Sequence, residues 1–129
     1  MKDFYLTLSS KSSVFKANTA SEFTIALRPD LPLTGNWSAG LVEILLPKET
    51  TLKPKYLLAN FIASSIVGET RRPVLRTFYQ KEKHIQFNLE YIPVTDRLLD
   101  TLVFELVDEK GTHLVLEGET YIRLHFVQW

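Results

Sequence analysis

Apolar and polar residues alternate along most of the chain with a period of two. The alternation is clear at residues 3–8 and 21–28, and it returns at residues 84–91, 100–107 and 120–128. Because successive side chains of a β-strand point to opposite faces, this period predicts strands with one buried face. No window of a dozen residues shows a sustained helical stripe. The pattern therefore predicts an all-β protein whose apolar faces meet in a core.

We predict a single domain over residues 1–129, an antiparallel β-sandwich of the jelly-roll type with eight or nine strands. Residues 28–32 contain two prolines and should interrupt the ladder, because proline has no backbone N–H to donate. Tight turns are predicted at residues 108–111 and 117–119. The predicted strands cover residues 3–8, 21–28, 37–46, 55–63, 72–79, 84–91, 100–107, 112–116 and 120–128.

The inward-facing positions of these strands predict the core. A shift of one residue would expose the whole set, so the register should be strongly fixed. Trp37 follows a Gly35–Asn36 turn and precedes small residues, which predicts packing against the opposite sheet rather than ligand binding. The predicted core consists of Phe4, Leu6, Leu8, Phe23, Ile25, Leu27, Ile44, Phe87, Leu89, Leu102, Phe104, Ile122, Leu124 and Phe126.

Composition narrows the functional classes. Fifteen basic and fifteen acidic residues leave no net charge, which argues against a protein that binds nucleic acid mainly through phosphate contacts. The absence of cysteine excludes disulfides, zinc–thiolate sites and cysteine nucleophiles. Asp3 follows Lys2 and Thr7 interrupts the first apolar run, so no signal peptide is predicted. Residues 41–46 are too short to span a membrane, and we expect an intracellular protein without membrane insertion.

Candidate catalytic and metal-binding residues are sparse. His84, His113 and His125 have no cysteine or acidic cluster at ligand spacing beside them, so no metal site is predicted. Asp96 and Asp100 are interpreted as the end of a loop and the start of a strand rather than as an acid/base pair. No serine lies in a G-x-S-x-G turn, and no glycine loop could cradle a phosphate. We predict a non-enzymatic protein without cofactors, with a hydrolase as the least favoured class.

Basic residues gather at residues 48–55, 71–76 and 81–83. Two interpretations stay open: solvated charges that keep strand edges from pairing, or a surface that contacts nucleic acid or an acidic neighbour. Arginine suits two-pronged contacts with carboxylates, which favours the arginines as interface residues. The candidate interface residues are Arg71, Arg72 and Arg97 with Glu49, Glu69 and Asp96.

Three blocks of sequence carry recognisable motifs. The first comprises residues 3–10 (DFYLTLSS), 18–24 (NTASEFT) and 33–44 (LTGNWSAGLVEI), and the second comprises residues 66–70 (IVGET) and 73–76 (PVLR). The third comprises residues 91–94 (YIPV), 99–102 (LDTL), 108–111 (DEKG) and 124–126 (LHF). In this order the blocks resemble a protein family of Polinton (Maverick) transposons and the related adintoviruses of animals. Members of that family carry a long insertion between the first two blocks, where this chain has only residues 47–57.

The resemblance implies a minor capsid protein of a virus or virus-like element. In viruses with double-jelly-roll capsids, a single jelly roll usually fills the five-fold vertices as a pentamer. The implied role is therefore a penton protein of the virion that forms a closed ring, adjoins the major capsid protein and contacts packaged DNA weakly. Zero net charge suits self-association, because it removes a long-range repulsion between copies. A trimeric attachment head and a partner-binding β module stay open as alternatives.

Overall fold

The computed structural model describes residues 2–11 and 17–129, and all the regular structure in them is β-strand. None of these residues lies in a helix, and so none lies in a helix that could cross a membrane. The all-β prediction is confirmed. The strands are β1 (Asp3–Ser9), β2 (Glu22–Pro32), β3 (Trp37–Leu45), β4 (Lys55–Ala59), β5 (Ser65–Val67), β6 (Thr70–Arg72), β7 (Val74–Phe78), β8 (His84–Gln86), β9 (Ile92–Pro93), β10 (Leu98–Val107) and β11 (Tyr121–Gln128).

The strands form two main antiparallel sheets that pack as a sandwich, as predicted. Sheet A has the order β1-β11-β3-β8, and β9 also pairs with β3. Sheet B has the order β2-β10-β4-β7. The short strands β5 and β6 form a separate hairpin between β4 and β7. The sandwich is therefore built from eight principal strands, with β5, β6 and β9 as additions to it.

The pairings between the principal strands are nested along the chain. β1 pairs with β11, β2 with β10, β3 with β8 and β4 with β7. The first principal strand thus pairs with the last, the second with the second-last, and so on inwards. The chain runs as one long hairpin whose two arms are wrapped into two sheets. This arrangement of eight strands is compatible with a jelly roll.

Aromatic rings join the two sheets through one shared core. Phe104 on sheet B is fully buried, and its ring centre lies 5.3 Å from that of Phe23 and 5.8 Å from that of Phe61. Phe126 on sheet A lies 4.8 Å from Phe4 and 5.7 Å from Phe61, measured between ring centres. Phe61 therefore contacts aromatic residues of both sheets. Its ring links Phe104 to Phe126 across the sandwich.

The burial of side chains confirms most of the predicted core. Leu89 is the exception, with 42% of its surface exposed, because the regular strand ends at Gln86 and the alternation does not continue to residue 89. Trp37 is buried as predicted: its ring lies 5.3 Å from that of Phe4, and its Nε1–H donates to the Thr34 carbonyl. The buried predicted residues are Leu8, Phe23, Ile25, Ile44, Leu102, Phe104, Ile122, Leu124 and Phe126, with Phe4, Leu6, Leu27 and Phe87 partly buried beside them.

Three predicted strands are shorter than the apolar pattern indicated. The strand predicted at residues 55–63 ends at Ala59, and the one predicted at 84–91 ends at Gln86. Residues 112–116 form no strand, only a single bridge between His113 and Val107. The tight turn before them is confirmed, since the Asp108 carboxylate accepts the backbone N–H groups of residues 110 and 112. The Asp108 side chain therefore bonds two N–H groups of the turn, and the Leu114 N–H donates to the Leu106 carbonyl of β10, but no regular strand forms.

The prolines of β2 interrupt its ladder but do not end the strand. Ala26 pairs with Thr101, the register then shifts, and Leu31 pairs with Leu99. The Arg28–Pro29 peptide bond inside the interrupted stretch is cis. The ladder is thus interrupted within residues 28–32 as predicted, but the strand does not end at residue 28 and continues to Pro32.

Candidate functional site

The outward face of sheet A carries a cluster of aromatic and charged side chains. Antiparallel pairing of β1 with β11 sets Tyr5 opposite His125 and Thr7 opposite Arg123, while their sequence neighbours point into the core. The Tyr5 ring stacks on the imidazole of His125 at 4.4 Å, and the Arg123 guanidinium lies 4.5 Å from the centre of the same ring. We call this surface the outer aromatic face; it comprises Tyr5, Tyr91, Tyr121, Arg123, His125 and Trp129.

His125 lies at the centre of a hydrogen-bonded chain across this face. Its Nε2 is 2.8 Å from a carboxylate oxygen of Asp3, and its Nδ1 is 2.8 Å from the Tyr91 hydroxyl. A neutral imidazole that donates from Nε2 to Asp3 can accept the Tyr91 O–H at Nδ1, which satisfies all three groups. The imidazole is buried although it points away from the core, because the Tyr5 and Tyr91 rings cover it. The chain of contacts fixes the orientation of these side chains.

Gly40 makes room for the Tyr91 end of this chain. It pairs with His125 in the ladder, and a Cβ on it would lie 2.8 Å from the Glu90 carbonyl oxygen and 3.3 Å from the Tyr91 ring. Only glycine lets the segment before β9 lie this close to β3. Of the small residues after Trp37, Gly40 thus has a role that the sequence did not reveal, because it leaves room for the Tyr91 ring on the outside of the sheet.

The order carboxylate–imidazole–hydroxyl resembles a proton relay, but the hydroxyl is a poor nucleophile here. Burial raises the pKa of the Tyr91 phenol, and the neighbouring Tyr5 and Asp3 raise it further. The phenol therefore keeps its proton and serves as a hydrogen-bond donor to His125. The geometry favours an arrangement that stiffens a surface over one that activates a nucleophile.

The same face offers exposed apolar area for a contact. Tyr5 is 49% exposed, Tyr121 is 42% exposed and Leu45 is 39% exposed. Large aromatic side chains held rigid at a surface are the type that dominates binding energy in protein interfaces. A shallow depression of about 280 Å³ lies between them and is lined by Thr7, Glu43, Leu45, His84, Tyr121, Ile122 and Arg123.

Charged groups at the edge of this depression are paired within the molecule. His84 lies 2.8 Å from the Glu43 carboxylate, and this hydrogen bond lowers the Glu43 pKa more than burial raises it. The Glu119 pKa is likewise lowered, chiefly by a hydrogen bond from the Ser9 hydroxyl, and Glu119 in turn raises the pKa of Tyr121. Tyr121 and Tyr91 therefore each have a polar partner within the molecule, Glu119 and His125 respectively.

Two of the six predicted interface residues line a surface cavity beside the outer aromatic face. Asp96 and Arg97 meet Trp37 and Trp129 around a space of about 360 Å³. Trp129 is 69% exposed and contacts Tyr91 edge to face, so this cavity adjoins the outer aromatic face. An exposed indole beside an arginine and a carboxylate gives this rim both apolar and charged contacts.

Three more predicted residues lie on the β5–β6 hairpin. Glu69 is at its turn, Arg71 is exposed on β6, and Arg72 is only partly exposed. The Arg72 guanidinium lies against Gly111 in the loop after β10, where a Cβ would come within 2.7 Å of it. Arg72 thus has an intramolecular contact, and Arg71 is the better candidate for a neighbour.

Glu49, the sixth predicted residue, lies in a different loop. It is exposed in residues 47–54 and lines a depression of about 370 Å³ with Lys55 and the segment 114–116. Lys55 fixes this loop through hydrogen bonds. Its ammonium is buried and donates to the carbonyls of Thr51 at 2.6 Å and Lys53 at 3.1 Å. The structure therefore divides the six residues among three sites, and in the described part of the chain none of the six forms an intramolecular ion pair.

The aromatic residues Tyr5, Tyr79, Tyr91, Tyr121 and Trp129 fall on the polar register of their strands or at the end of the chain, which predicts that those left exposed are interface anchors. The sequence does not show that four of them, all except Tyr79, come together with His125 in the outer aromatic face. Asp3 and His125 are 122 positions apart, and nothing in the sequence shows that the first and last strands are neighbours. The one available signal was the placement of Tyr5, Tyr121 and His125 on the polar register of their strands. Neither the protein-family models nor the curated proteins match this chain. The fold and the chemistry of its surfaces are therefore the basis for inferring a function.

Proposed function

We propose that this protein is a non-enzymatic structural component of a virus or virus-like particle, a minor capsid protein that forms a closed ring at a vertex. The observation that carries the proposal is the nested pairing of the eight principal strands, four in sheet A and four in sheet B. Viral capsid proteins are among the principal users of the jelly roll, with which this pairing is compatible. The sequence blocks at residues 3–10, 18–24 and 33–44 support the same assignment by resemblance.

A closed ring other than a dimer needs two different patches on each copy, since its contacts are heterologous. The outer aromatic face supplies one patch of rigid, partly exposed rings. The hairpin with Glu69 and Arg71, the loop with Glu49 and the cavity with Asp96 and Arg97 supply charged patches for the other. The loop at residues 10–19 is also free of alternation and could build such a patch, but residues 12–16 of it lie outside the described residues. The proposed neighbours are further copies of this chain and, around the ring, a major capsid protein.

Charge reversal on the hairpin tests whether its arginines contribute to the ring. Arg71→Glu together with Arg72→Glu should reduce assembly and remove its salt sensitivity, because ring contacts would lose their cations. The matched control is Lys81→Glu with Lys83→Glu, which reverses two exposed charges in the loop before β8. Light scattering coupled to size-exclusion chromatography measures the effect. If the arginine variant folds and assembles with unchanged size and salt sensitivity, these arginines are not interface residues.

A partner-binding β module, including a trimeric attachment head, is the second candidate. It is favoured by the exposed Trp129 beside the cavity lined by Asp96 and Arg97. Exposed aromatic residues at a cavity rim are suited to a partner different from the chain itself. A trimer in solution would favour the attachment head, and a stable monomer would favour a module that binds an unrelated partner.

A further inference from the structure

We propose that Glu22, Glu105 and His113 bind a zinc ion on the outside of sheet B. Their donor atoms lie within 4.8 Å of one another, and they come from three separate segments of the chain. Two carboxylates and an imidazole form a mixed oxygen and nitrogen ligand set that suits zinc. Three protein ligands leave the fourth tetrahedral position for a water molecule. This inference concerns a surface distinct from the outer aromatic face and does not depend on the proposed assembly.

The ladder places the donors with little freedom. Glu22 on β2 is directly opposite Glu105 on β10, so both carboxylates project from one face. His113 pairs with Val107, two residues beyond Glu105, and is held there by the Asp108 turn. The backbone amide of Leu106 also bonds to the Ser21 carbonyl at 2.7 Å, which fixes the strands next to the two acids. The site thus rests on strands and a tight turn rather than on a long loop.

Two of the three donor separations are close to those of a tetrahedral site, and the donor atoms of Glu22 and Glu105 lie within 4.8 Å of each other. His113 Nε2 lies 3.0 Å from a Glu105 carboxylate oxygen and 3.6 Å from a Glu22 carboxylate oxygen. Zinc bonds of about 2.0–2.1 Å in a tetrahedron place neighbouring donor atoms about 3.3 Å apart. The two observed separations lie on either side of that value. Small rotations of exposed side chains would therefore complete the coordination.

The negative charges of Glu22 and Glu105 are a second reason to expect a cation here. Like charges directly opposite each other in a sheet are destabilising. Among the described residues, no lysine or arginine lies within ion-pair distance of Glu22 or Glu105, and the only basic side chain that contacts them is the imidazole of His113. A divalent ion would neutralise both carboxylates at once. The other histidine–carboxylate pairs among the described residues, His84 with Glu43 and His125 with Asp3, have one acid each and lack this excess of negative charge.

The test is calorimetric titration of metal-free protein with zinc chloride in a non-coordinating buffer, with thermal unfolding in parallel. We expect one zinc per chain, a raised unfolding temperature, and affinity weakened at least about tenfold by His113→Gln or Glu22→Gln. Without zinc, Glu22→Gln should unfold at the same temperature as the wild type or higher, because it removes the carboxylate repulsion. Cobalt should give the strong visible absorption of a tetrahedral site, and calcium should bind poorly with so few oxygen ligands.

The matched control is His84→Gln, which removes an exposed histidine paired with one glutamate. It should leave zinc affinity unchanged. The proposal is overturned if the wild-type protein shows neither a heat of zinc binding nor a zinc-dependent shift in unfolding temperature. It is also overturned if His84→Gln weakens zinc binding as much as His113→Gln, or if calcium binds as tightly as zinc.

Discussion

Replacing Phe104 with alanine should remove a large part of the stability of this fold. The side chain is fully buried at the centre of sheet B and contacts Phe23 and Phe61. Truncating a buried phenylalanine costs about 3–5 kcal/mol through lost transfer energy and the cavity that remains. Two aromatic pairs, each contributing about 0.5–1.5 kcal/mol beyond burial, place the loss in the upper half of that range. A domain at the lower end of the usual range of about 5–15 kcal/mol would then be close to unfolding.

Urea unfolding followed by far-ultraviolet circular dichroism measures this loss. With a urea dependence of about 1–3 kcal/mol per molar, a loss of about 4 kcal/mol moves the midpoint down by more than about 1 M. Val115→Ala is the control, since Val115 is 83% exposed and its truncation should change stability by less than about 0.5 kcal/mol. A loss below about 1 kcal/mol for Phe104→Ala would refute the assignment of Phe104 to a closely packed centre.

Two further predictions concern Gly40 and Lys55. Gly40→Ala should lower the free energy of unfolding by about 1–3 kcal/mol, measured by urea unfolding, because the added Cβ would displace the Glu90 carbonyl. An unchanged midpoint would contradict the close approach of the segment around Glu90 to β3. Burial lowers the Lys55 pKa below its ordinary 10.5, so in the alkaline range below 10.5 the unfolded chain binds more protons than the folded one. The contribution of Lys55 to the free energy of unfolding should therefore rise with pH in that range. Lys55→Met should abolish this dependence of stability on pH. Lys53→Met, the control at an exposed site, should retain it. Equal pH profiles for the two variants would contradict the burial of the Lys55 charge.

The period-two pattern was sufficient to predict the sheets because burial and alternation have the same cause. Phe23, Ile25, Phe104 and Phe126 could be assigned to the core without knowing which strands are neighbours, since any sandwich buries that register. The pattern failed at Leu89, where the chain leaves the sheet while apolar residues continue. Local alternation contains no information about where a ladder loses its partner strand.

The candidate sites were harder to predict because they depend on contacts between distant segments. The alternation with Leu124 and Phe126 places His125 on the outward face of its strand, but its burial by Tyr5 and Tyr91 depends on the pairing of β1 with β11 and on Gly40. No metal site was predicted, because Glu22 and Glu105 are far apart in sequence and become neighbours only through the ladder. The arginines were chosen for their type and for their place in segments without alternation, so the contact of Arg72 with Gly111 could not be foreseen. Strand pairing is the missing information in each case.

The number of copies in the assembled particle tests the proposed function most directly. Native mass spectrometry of the purified protein, over a range of concentrations and at low and moderate salt, counts those copies. A closed ring of defined size is predicted, with a pentamer as the expected species for a vertex protein, since heterologous contacts that close give one discrete number. A protein that stays monomeric at every concentration and salt condition would contradict the proposal.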